Sequence, residues 1–180
     1  MIKELSVRPK PQNNNAKILM GAFFTLFAIT FVVSMRIERF SGVVATASMF
    51  LLVSALLVYT KYVSVSFSYD LVNGENDEGL FVVRQTVGKR NQTLCRISLK
   101  DIAKIEKETR QQRRAHRTER GVMRYSYTPT LSPAVSYRIF VKNRYESSEI
   151  VIEGNDEFIE LLTRYSTEER LNYIEFDQED

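Results

Sequence analysis

Residues 18–35 read ILMGAFFTLFAITFVVSM, and residues 40–60 read FSGVVATASMFLLVSALLVYT. These runs of 18 and 21 residues contain no charged side chain, and only the short charged segment 36–39 separates them. A helix needs about 20 apolar residues, within a range of roughly 17–25, to cross the hydrocarbon core of a bilayer. The two runs therefore predict a transmembrane helical hairpin over residues 17–61, with both ends of the chain on the same side of the membrane.

The basic residues that flank the two runs predict which side that is. Five of them lie on the side of the chain ends, namely Lys3, Arg8, Lys10, Lys17 and Lys61, whereas only Arg36 and Arg39 lie in the connecting turn. Because basic residues favour the cytoplasmic side, we expect a multi-pass cell-membrane protein with two helices and both termini in the cytoplasm. The first run does not end in a small-residue cleavage pair, which argues against a signal peptide.

Small residues recur within the hairpin at a helical spacing. Gly21, Thr25 and Ala28 stand at i, i+4 and i+7, and Ser41, Ala45 and Ser48 repeat that spacing in the second run. Small side chains allow two helix backbones to approach closely in lipid. We expect these six residues to pack the two helices against each other, and a dedicated interface between copies of the chain is the alternative. Neither run contains an ionisable residue, which argues against a transporter, proton relay or channel.

Charge is unevenly distributed in the rest of the 180-residue chain. The formal net charge is only +3, but residues 104–124 carry +5 and residues 151–180 carry −8. This uneven distribution of charge points to interaction partners or to attraction within the chain.

The counts of two residue types exclude two kinds of site. A single cysteine, Cys95, excludes an intrachain disulfide, and a single histidine, His116, excludes a multi-histidine metal site.

The segment before the hairpin and the segment after it have different patterns. Residues 1–16, with two prolines and the polar run 12–15, predict a disordered cytoplasmic tail. Beyond Lys61 the apolar period changes to two, as in half-buried strands. Seven strands are predicted, at residues 63–69, 80–87, 93–99, from 104, 122–128, 135–141 and 149–153. Turns are expected at 73–79, at 129–133 and at Asn143 and Arg144.

The end of the chain has a helical pattern. Asn155 is a suitable N-cap, and the acidic residues Asp156 and Glu157 follow it where a helix dipole favours negative charge. Apolar residues at helical spacing predict an amphipathic helix over 155–165. A capping box at Ser166 predicts a separate short helix in the acidic segment 166–180, whose last six residues we expect to be loose.

Two stretches carry a resemblance to a known group of proteins: CRISLKDIAKIE (residues 95–106) and IVIEGNDEFIELL (residues 150–162). In pattern and order of elements, residues 62–165 resemble a pleckstrin-homology-like (PH-like) domain, and the whole chain resembles bacterial membrane proteins in which two helices precede such a domain. The resemblance implies a bent antiparallel sheet of about seven strands with one end covered by a C-terminal helix. A lipocalin-like or other small barrel is the alternative. In PH domains that bind phosphoinositides the first loop is basic, but residues 73–79 here are acidic, so headgroup binding is not expected in that loop.

The most distinctive local pattern is a cluster of arginines between two predicted strands. A helix through this region would place Arg110, Arg113, Arg114, Arg117 and Arg124 on one face, with Arg120 at its edge. Three interpretations are open: a solvated loop, contact with anionic lipid, and docking of an acidic partner or of the acidic C-terminus. Nucleic acid is not favoured, because no recognised nucleic-acid motif accompanies the arginines.

No residue pattern predicts chemistry. His116 lies among arginines, Cys95 alternates with apolar residues as a core cysteine does, and no metal or cofactor motif is present. We therefore expect a non-enzymatic, membrane-anchored interaction module, an adaptor or regulatory subunit with an unidentified membrane or cytoplasmic protein partner. The alternatives are a domain that binds lipid or a small ligand through the loop 110–124 or the open end of the barrel, and an enzyme whose site has no recognisable pattern. A large apolar cavity would favour the ligand; a filled core with an exposed sheet edge would favour a protein partner.

Overall fold

The computed structural model describes residues 4–36, 41–74, 78–115, 122–142 and 147–177. Two long helices lie side by side in it: α1 (Asn15–Ser34) and α2 (Ser41–Val58), which a π-helical turn extends over Tyr59–Val63. Both are long and apolar enough to cross a membrane, and only 6% and 11% of their most apolar stretches is buried, unlike the core helix of a soluble protein. The predicted pair of apolar helices is confirmed, whereas the turn at 37–39 lies outside the described residues.

The buried residues of the two helices are small, but on α1 they are not the predicted ones. The buried positions are Ala16 and Ser34 in α1 and Ser48 and Ala55 in α2. Of the residues predicted on α2, Ser48 is buried, Ala45 is half-buried and Ser41 is exposed.

The residues predicted on α1 lie elsewhere on its surface. Gly21, Thr25 and Ala28 are all exposed, and a Cβ added at Gly21 would meet no atom within 4 Å. The prediction that these three residues bring α1 close to α2 is therefore wrong. The alternative, an interface between copies of the chain, stays a prediction.

Within the described residues, eight strands form two four-stranded sheets. The first sheet has the order β1–β2–β3–β4, is antiparallel throughout, and consists of Leu5–Val7, Val65–Asn73, Gly79–Val87 and Arg90–Ser98. The second sheet has the order β5–β7–β8–β6 and consists, in chain order from β5 to β8, of Ile102–Thr109, Met123–Tyr127, Val135–Lys142 and Ser147–Ile152. Helix α3 (Arg110–Ala115) follows β5, and helix α4 (Asp156–Asp177) follows β8.

The core lies between the sheets and is closed by the last helix. The predicted alternation of β2 directs Phe67 and Tyr69 inward, while β3 contributes Phe81. Helix α4 adds Phe158, whose ring centroid lies 6.4 Å from that of Tyr69 and 6.3 Å from that of Phe81. Tyr69, Phe81 and Phe158 are completely buried, so side chains fill the space beneath the helix.

The expectation of a disordered N-terminal tail is wrong for residues 5–7. These residues form β1 at the edge of the first sheet, paired in register with β2 from Leu5 opposite Leu71 to Val7 opposite Tyr69. Leu5 and Val7 pack against the core, and the Ser6 hydroxyl donates a hydrogen bond to the buried Asp70. Packing of these two apolar side chains against the core fixes β1 in place. The prolines and the polar run elsewhere in residues 1–16 had led to the prediction of disorder.

Two further expectations need correction. The strands are not all antiparallel, because β6 pairs in parallel with β8 instead of forming a hairpin with β7. The helix does not restart at Ser166: α4 continues through it, and the buried Ser166 hydroxyl donates to the Thr163 carbonyl within the same helix, at 2.9 Å. The predicted turn residues Asn143 and Arg144 lie outside the described residues.

Candidate functional site

The arginine cluster begins on α3, which packs against the outer face of the second sheet. Thr109 and Gln112 form the start of this helix: the Gln112 Oε1 atom accepts hydrogen bonds from the backbone N–H and the hydroxyl of Thr109, at 2.8 and 3.0 Å. In return the Gln112 N–H donates to the Thr109 hydroxyl at 3.5 Å, which makes the pair a capping box, T-x-x-Q, at the helix N-terminus. The Arg110 N–H donates to the Ala134 carbonyl at 3.2 Å and so joins the helix to the loop before β7.

The predicted arginines do not share one helical face over the described residues. Helix α3 ends at Ala115, and Arg124 belongs to strand β6, so that part of the prediction is wrong. Arg110 is exposed, whereas the side chain of Arg113 turns toward the sheet. Arg114 lies within α3, and Arg117 and Arg120 lie outside the described residues.

Glu108 is the acid around which three arginines gather. Its side chain is 3% exposed and accepts a hydrogen bond from Arg138 on β7. Its second oxygen, Oε2, lies 3.6 Å from Nε of Arg113 and 3.6 Å from Nη2 of Arg124. Arg113 also donates to the Ser136 hydroxyl at 2.6 Å. One buried carboxylate thus connects α3, β6 and β7, and we call these four charged residues the Glu108 hub.

The outer face of the second sheet contains as many acids as arginines. Glu106 stands opposite Arg138 in the register of β5 and β7, and Glu149 stands opposite Arg124 in the register of β8 and β6. With Glu108 and Arg113 the face holds three carboxylates and three guanidinium groups. Two of the predicted basic residues are therefore largely neutralised by the chain itself.

An open cleft of about 590 Å³ lies between α3 and this face, lined by Glu106, Glu108, Gln112 and Arg138 among others. Its lining is charged, and both of its carboxylates, Glu106 and Glu108, are paired with a basic residue. Such a cleft can hold the arginine segment on the sheet. Within the ranges that the structure describes, no three His, Cys, Asp or Glu side chains are placed to hold a metal ion.

A second buried polar group joins the N-terminal segment to both sheets. The Glu153 carboxylate accepts hydrogen bonds from the N–H and the hydroxyl of Thr130, at 2.9 and 2.7 Å. The Glu153 N–H donates to the Tyr69 hydroxyl at 3.2 Å, and that hydroxyl donates to the Tyr127 carbonyl at 2.6 Å. Burial raises the pKa of both Glu153 and Tyr69, and the bonds from Thr130 partly oppose the rise in the pKa of Glu153.

Gln12 extends this group toward the start of α1. Its N–H donates to the Thr130 hydroxyl at 2.9 Å, its side-chain amide donates to the Val135 carbonyl at 2.7 Å, and its Oε1 accepts from the Ala134 N–H at 2.8 Å. Asn13 donates to the Ser132 carbonyl at 3.1 Å. Sequence reasoning did not identify Glu153 or Gln12 as important, because a strand-end acid and a glutamine in a polar run have no distinctive spacing.

Cys95 is half-buried on β4, and burial raises the pKa of its thiol above the ordinary value. A raised pKa keeps the sulfur protonated near neutral pH, which disfavours a role as nucleophile. His116 lies outside the described residues.

Comparison with known proteins adds no family to this picture. No model of a protein family matches the chain, and no curated protein is significantly similar to it.

Proposed function

We propose that this chain is a membrane-anchored, non-enzymatic interaction module, an adaptor or regulatory subunit that holds a β domain at the cytoplasmic membrane surface. Two adjacent apolar helices support the anchor. Ser64 alone separates the π-helical turn from β2, and its N–H donates to the Tyr59 carbonyl at 2.9 Å. A linker of one residue keeps the β domain next to the end of the helix.

We further infer that the β domain is PH-like. Two small sheets whose core is closed by a C-terminal helix support this inference, as does Phe158, which that helix inserts between the sheets. The added edge strand β1 and the parallel pairing of β6 depart from a simple antiparallel meander.

The observation that favours a protein partner over an enclosed small ligand is the combination of a filled core and an exposed sheet edge. The fully buried rings of Tyr69, Phe81 and Phe158 occupy the space beneath α4. At the edge of the first sheet, β4 is exposed at every position from Arg90 to Thr93. An edge strand presents unpaired backbone donors and acceptors to which an extended segment of another protein can add.

Site-specific photocrosslinking in native membranes tests this function. A photoreactive residue replaces Gln92 on the exposed edge, and the control replaces Ser66, which is exposed on the interior strand β2. We expect one discrete crosslinked protein from position 92 and much less from position 66. Equal products from both positions, or none from either, would contradict a partner at this edge.

Alkaline carbonate extraction and cysteine labelling test the anchor and its orientation. We expect the chain to stay in the membrane pellet. In a Cys95→Ser background, Gln92→Cys should react only from the cytoplasmic side, and Arg36→Cys, at the other end of α1, only from the opposite side. Extraction into the aqueous fraction would exclude the membrane anchor.

A further inference from the structure

We propose that the end of the β domain adjoining the two apolar helices is a docking surface for anionic phospholipid headgroups in the leaflet where the helices are anchored. This inference depends on the membrane anchor proposed above and adds a second partner, the lipid surface, to it. The surface is formed by residues 10–17, 59–66, 86–90, 108–112 and 128–136, and we call it the hairpin end.

The topology brings these segments to one end of the domain. Before α1 begins, Gln12 and Asn13 are bonded to the loop between β6 and β7, and after α2 the chain enters β2 through Ser64. Helix α1 is also in contact with the π-helical turn. The chain therefore enters and leaves the apolar pair at neighbouring points of the β domain.

The turn between β3 and β4 lies at the same end. Val65, the first residue of β2, pairs with Val87, the last residue of β3, and Val87 pairs in turn with Arg90. Gly88, with φ of +60°, makes the tight turn that these pairings require. Lys89 and Arg90 are consequently exposed one strand away from the end of α2.

The start of α3 completes the hairpin end. Because its N–H is bonded to Ala134, Arg110 lies beside the loop that holds Asn13. A cleft of about 360 Å³ opens there, lined by Asn13, Asn15, Arg110 and Ser132 among others. Amide, hydroxyl and guanidinium donors at the first turn of a membrane helix suit the phosphate oxygens of a lipid headgroup.

Charge on the hairpin end is one-sided. Its exposed charged side chains within the described residues are all basic, namely Lys10, Lys17, Lys61, Lys89, Arg90 and Arg110. The acid on the same segments, Glu108, is buried and paired with Arg138. Anionic leaflets attract such cations over about one Debye length. Because the helices already hold the domain beside the leaflet, weak attraction is sufficient to orient it.

The Glu108 hub determines which arginines are available to bind lipid headgroups. Arg113 and Arg124 have a carboxylate within the protein, whereas Arg110 is exposed. The surface therefore includes Arg110 from the arginine cluster together with lysines from other segments, and it does not require the basic helical face that the sequence predicted.

Tryptophan fluorescence of the full chain in nanodiscs tests the proposal. The native chain has no tryptophan, so one introduced residue reports without background. Val87→Trp places the reporter at the hairpin end, where the native side chain is 46% exposed, and Tyr173→Trp places it near the end of α4 as a control. The nanodiscs contain phosphatidylcholine alone or mixed with phosphatidylglycerol, each with a trace of lipid bearing a nitroxide quencher on its headgroup.

We expect phosphatidylglycerol to increase quenching of the Val87→Trp reporter by about twofold or more, since each basic residue near an anionic leaflet gains attraction. High salt should abolish the increase, and the combined substitution Lys89→Gln, Arg90→Gln and Arg110→Gln, which removes three of the six cations, should clearly reduce it. The matched control Arg96→Gln, Lys142→Gln and Arg164→Gln removes three exposed cations elsewhere and should retain the full increase. The Tyr173→Trp reporter should respond equally to both lipids.

Equal quenching of the Val87→Trp reporter in the two lipids, or equal loss in both triple variants, would overturn the docking surface while leaving the anchored module intact. Circular dichroism of each variant shows that an observed loss is not a loss of fold. A chain that enters neither type of nanodisc would overturn the anchor, and with it the docking surface.

Discussion

Glu108 on β5 and Arg138 on β7 form an ion pair in which the side chains are only 3% and 6% exposed. A guanidinium group excluded from water is costly unless a carboxylate neutralises it. Arg113 and Arg124 approach the same carboxylate but retain 20% and 25% exposure, so they can be hydrated in part. Arg138 therefore depends on Glu108 more than the other two arginines do.

Replacing Glu108 should strongly destabilise the β domain. Glu108→Gln removes the carboxylate charge with which the buried Arg138 side chain is paired, and breaking a buried pair in this way typically costs about 3–5 kcal/mol. Urea unfolding of the full chain in detergent micelles, followed by far-UV circular dichroism, measures the loss.

Two variants make this test specific. Glu168→Gln, which removes one partner of the exposed pair with Arg164 on α4, should cost less than about 1 kcal/mol. The double variant Glu108→Leu with Arg138→Met should be more stable than Glu108→Gln, because it removes the buried guanidinium together with its carboxylate. A Glu108→Gln loss as small as that of Glu168→Gln would show that the hub contributes little.

Removing the Gln12 side chain should loosen the loop before β7. Gln12→Ala deletes the acceptor of the Ala134 N–H, and a net hydrogen-bond contribution of about 1 kcal/mol corresponds to roughly fivefold faster amide exchange. Hydrogen exchange measured at Ala134 checks this. Gln92→Ala, a change at an exposed site on β4, should leave that amide unchanged. Unaltered exchange in Gln12→Ala would argue against the Gln12 contact.

The N-cap of α4 should contribute measurably to stability. Asn155 Oδ1 accepts a hydrogen bond from the Phe158 N–H at 3.2 Å, and loss of such a cap costs about 1 kcal/mol. Asn155→Ala should lower the free energy of unfolding by that amount, whereas Asn155→Ser, which keeps a capping oxygen, should stay near the parent. Equal losses in the two variants would assign the effect to something other than the cap.

Glu153 should make stability depend on pH. Burial raises its pKa in the folded state above the ordinary value of 4.5, so between these two values the folded chain binds the proton more tightly than the unfolded chain. Stability contributed by Glu153 is therefore present at low pH and is lost as pH rises through the folded-state pKa. Urea unfolding of the parent and of Glu153→Gln across this range measures the difference.

The comparison between the two proteins isolates this one group. The free energy of unfolding of the parent should fall as pH rises through the folded-state pKa of Glu153. The free energy of unfolding of Glu153→Gln should not show this fall. Glu160→Gln, on the exposed side of α4, should follow the parent. Parallel profiles for the parent and Glu153→Gln would mean that the protonation of Glu153 is not linked to folding.

The apolar helices and most of the strands were predictable because their patterns are local. An uncharged apolar run of 18 residues predicts a long apolar helix, and the alternation of Val65, Phe67 and Tyr69 identifies both a strand and its buried face. Leu5 and Val7 were missed because a strand of three residues is too short for an alternation to be recognised. The contact face of α1 was also unpredictable, because a helix that is apolar all round carries no information about which side meets its neighbour.

The Glu108 hub could not be derived from the sequence. Glu108 and Arg138 are 30 residues apart, and only the pairing of β5 with β7 brings them together. The arginine spacing correctly drew attention to the segment, but spacing along the chain cannot distinguish arginines that face water from those that face an acid on a neighbouring strand. The parallel pairing of β6 with β8 could not be predicted either, because it depends on the path of the chain between the strands and not on the composition of β6.

The single residue between the second apolar helix and β2, combined with the Gln12 bonds ahead of the first, has a consequence for how a partner would meet this protein. Both ends of the helix pair are fastened to the β domain, so a membrane anchor formed by these helices would leave the domain little freedom to rotate above the bilayer. The β4 edge would then stay at a constant distance from the bilayer and in a constant orientation toward a protein partner. Recognition would then involve little loss of orientational entropy, and a few extra residues inserted after Ser64 would weaken binding without altering any contact.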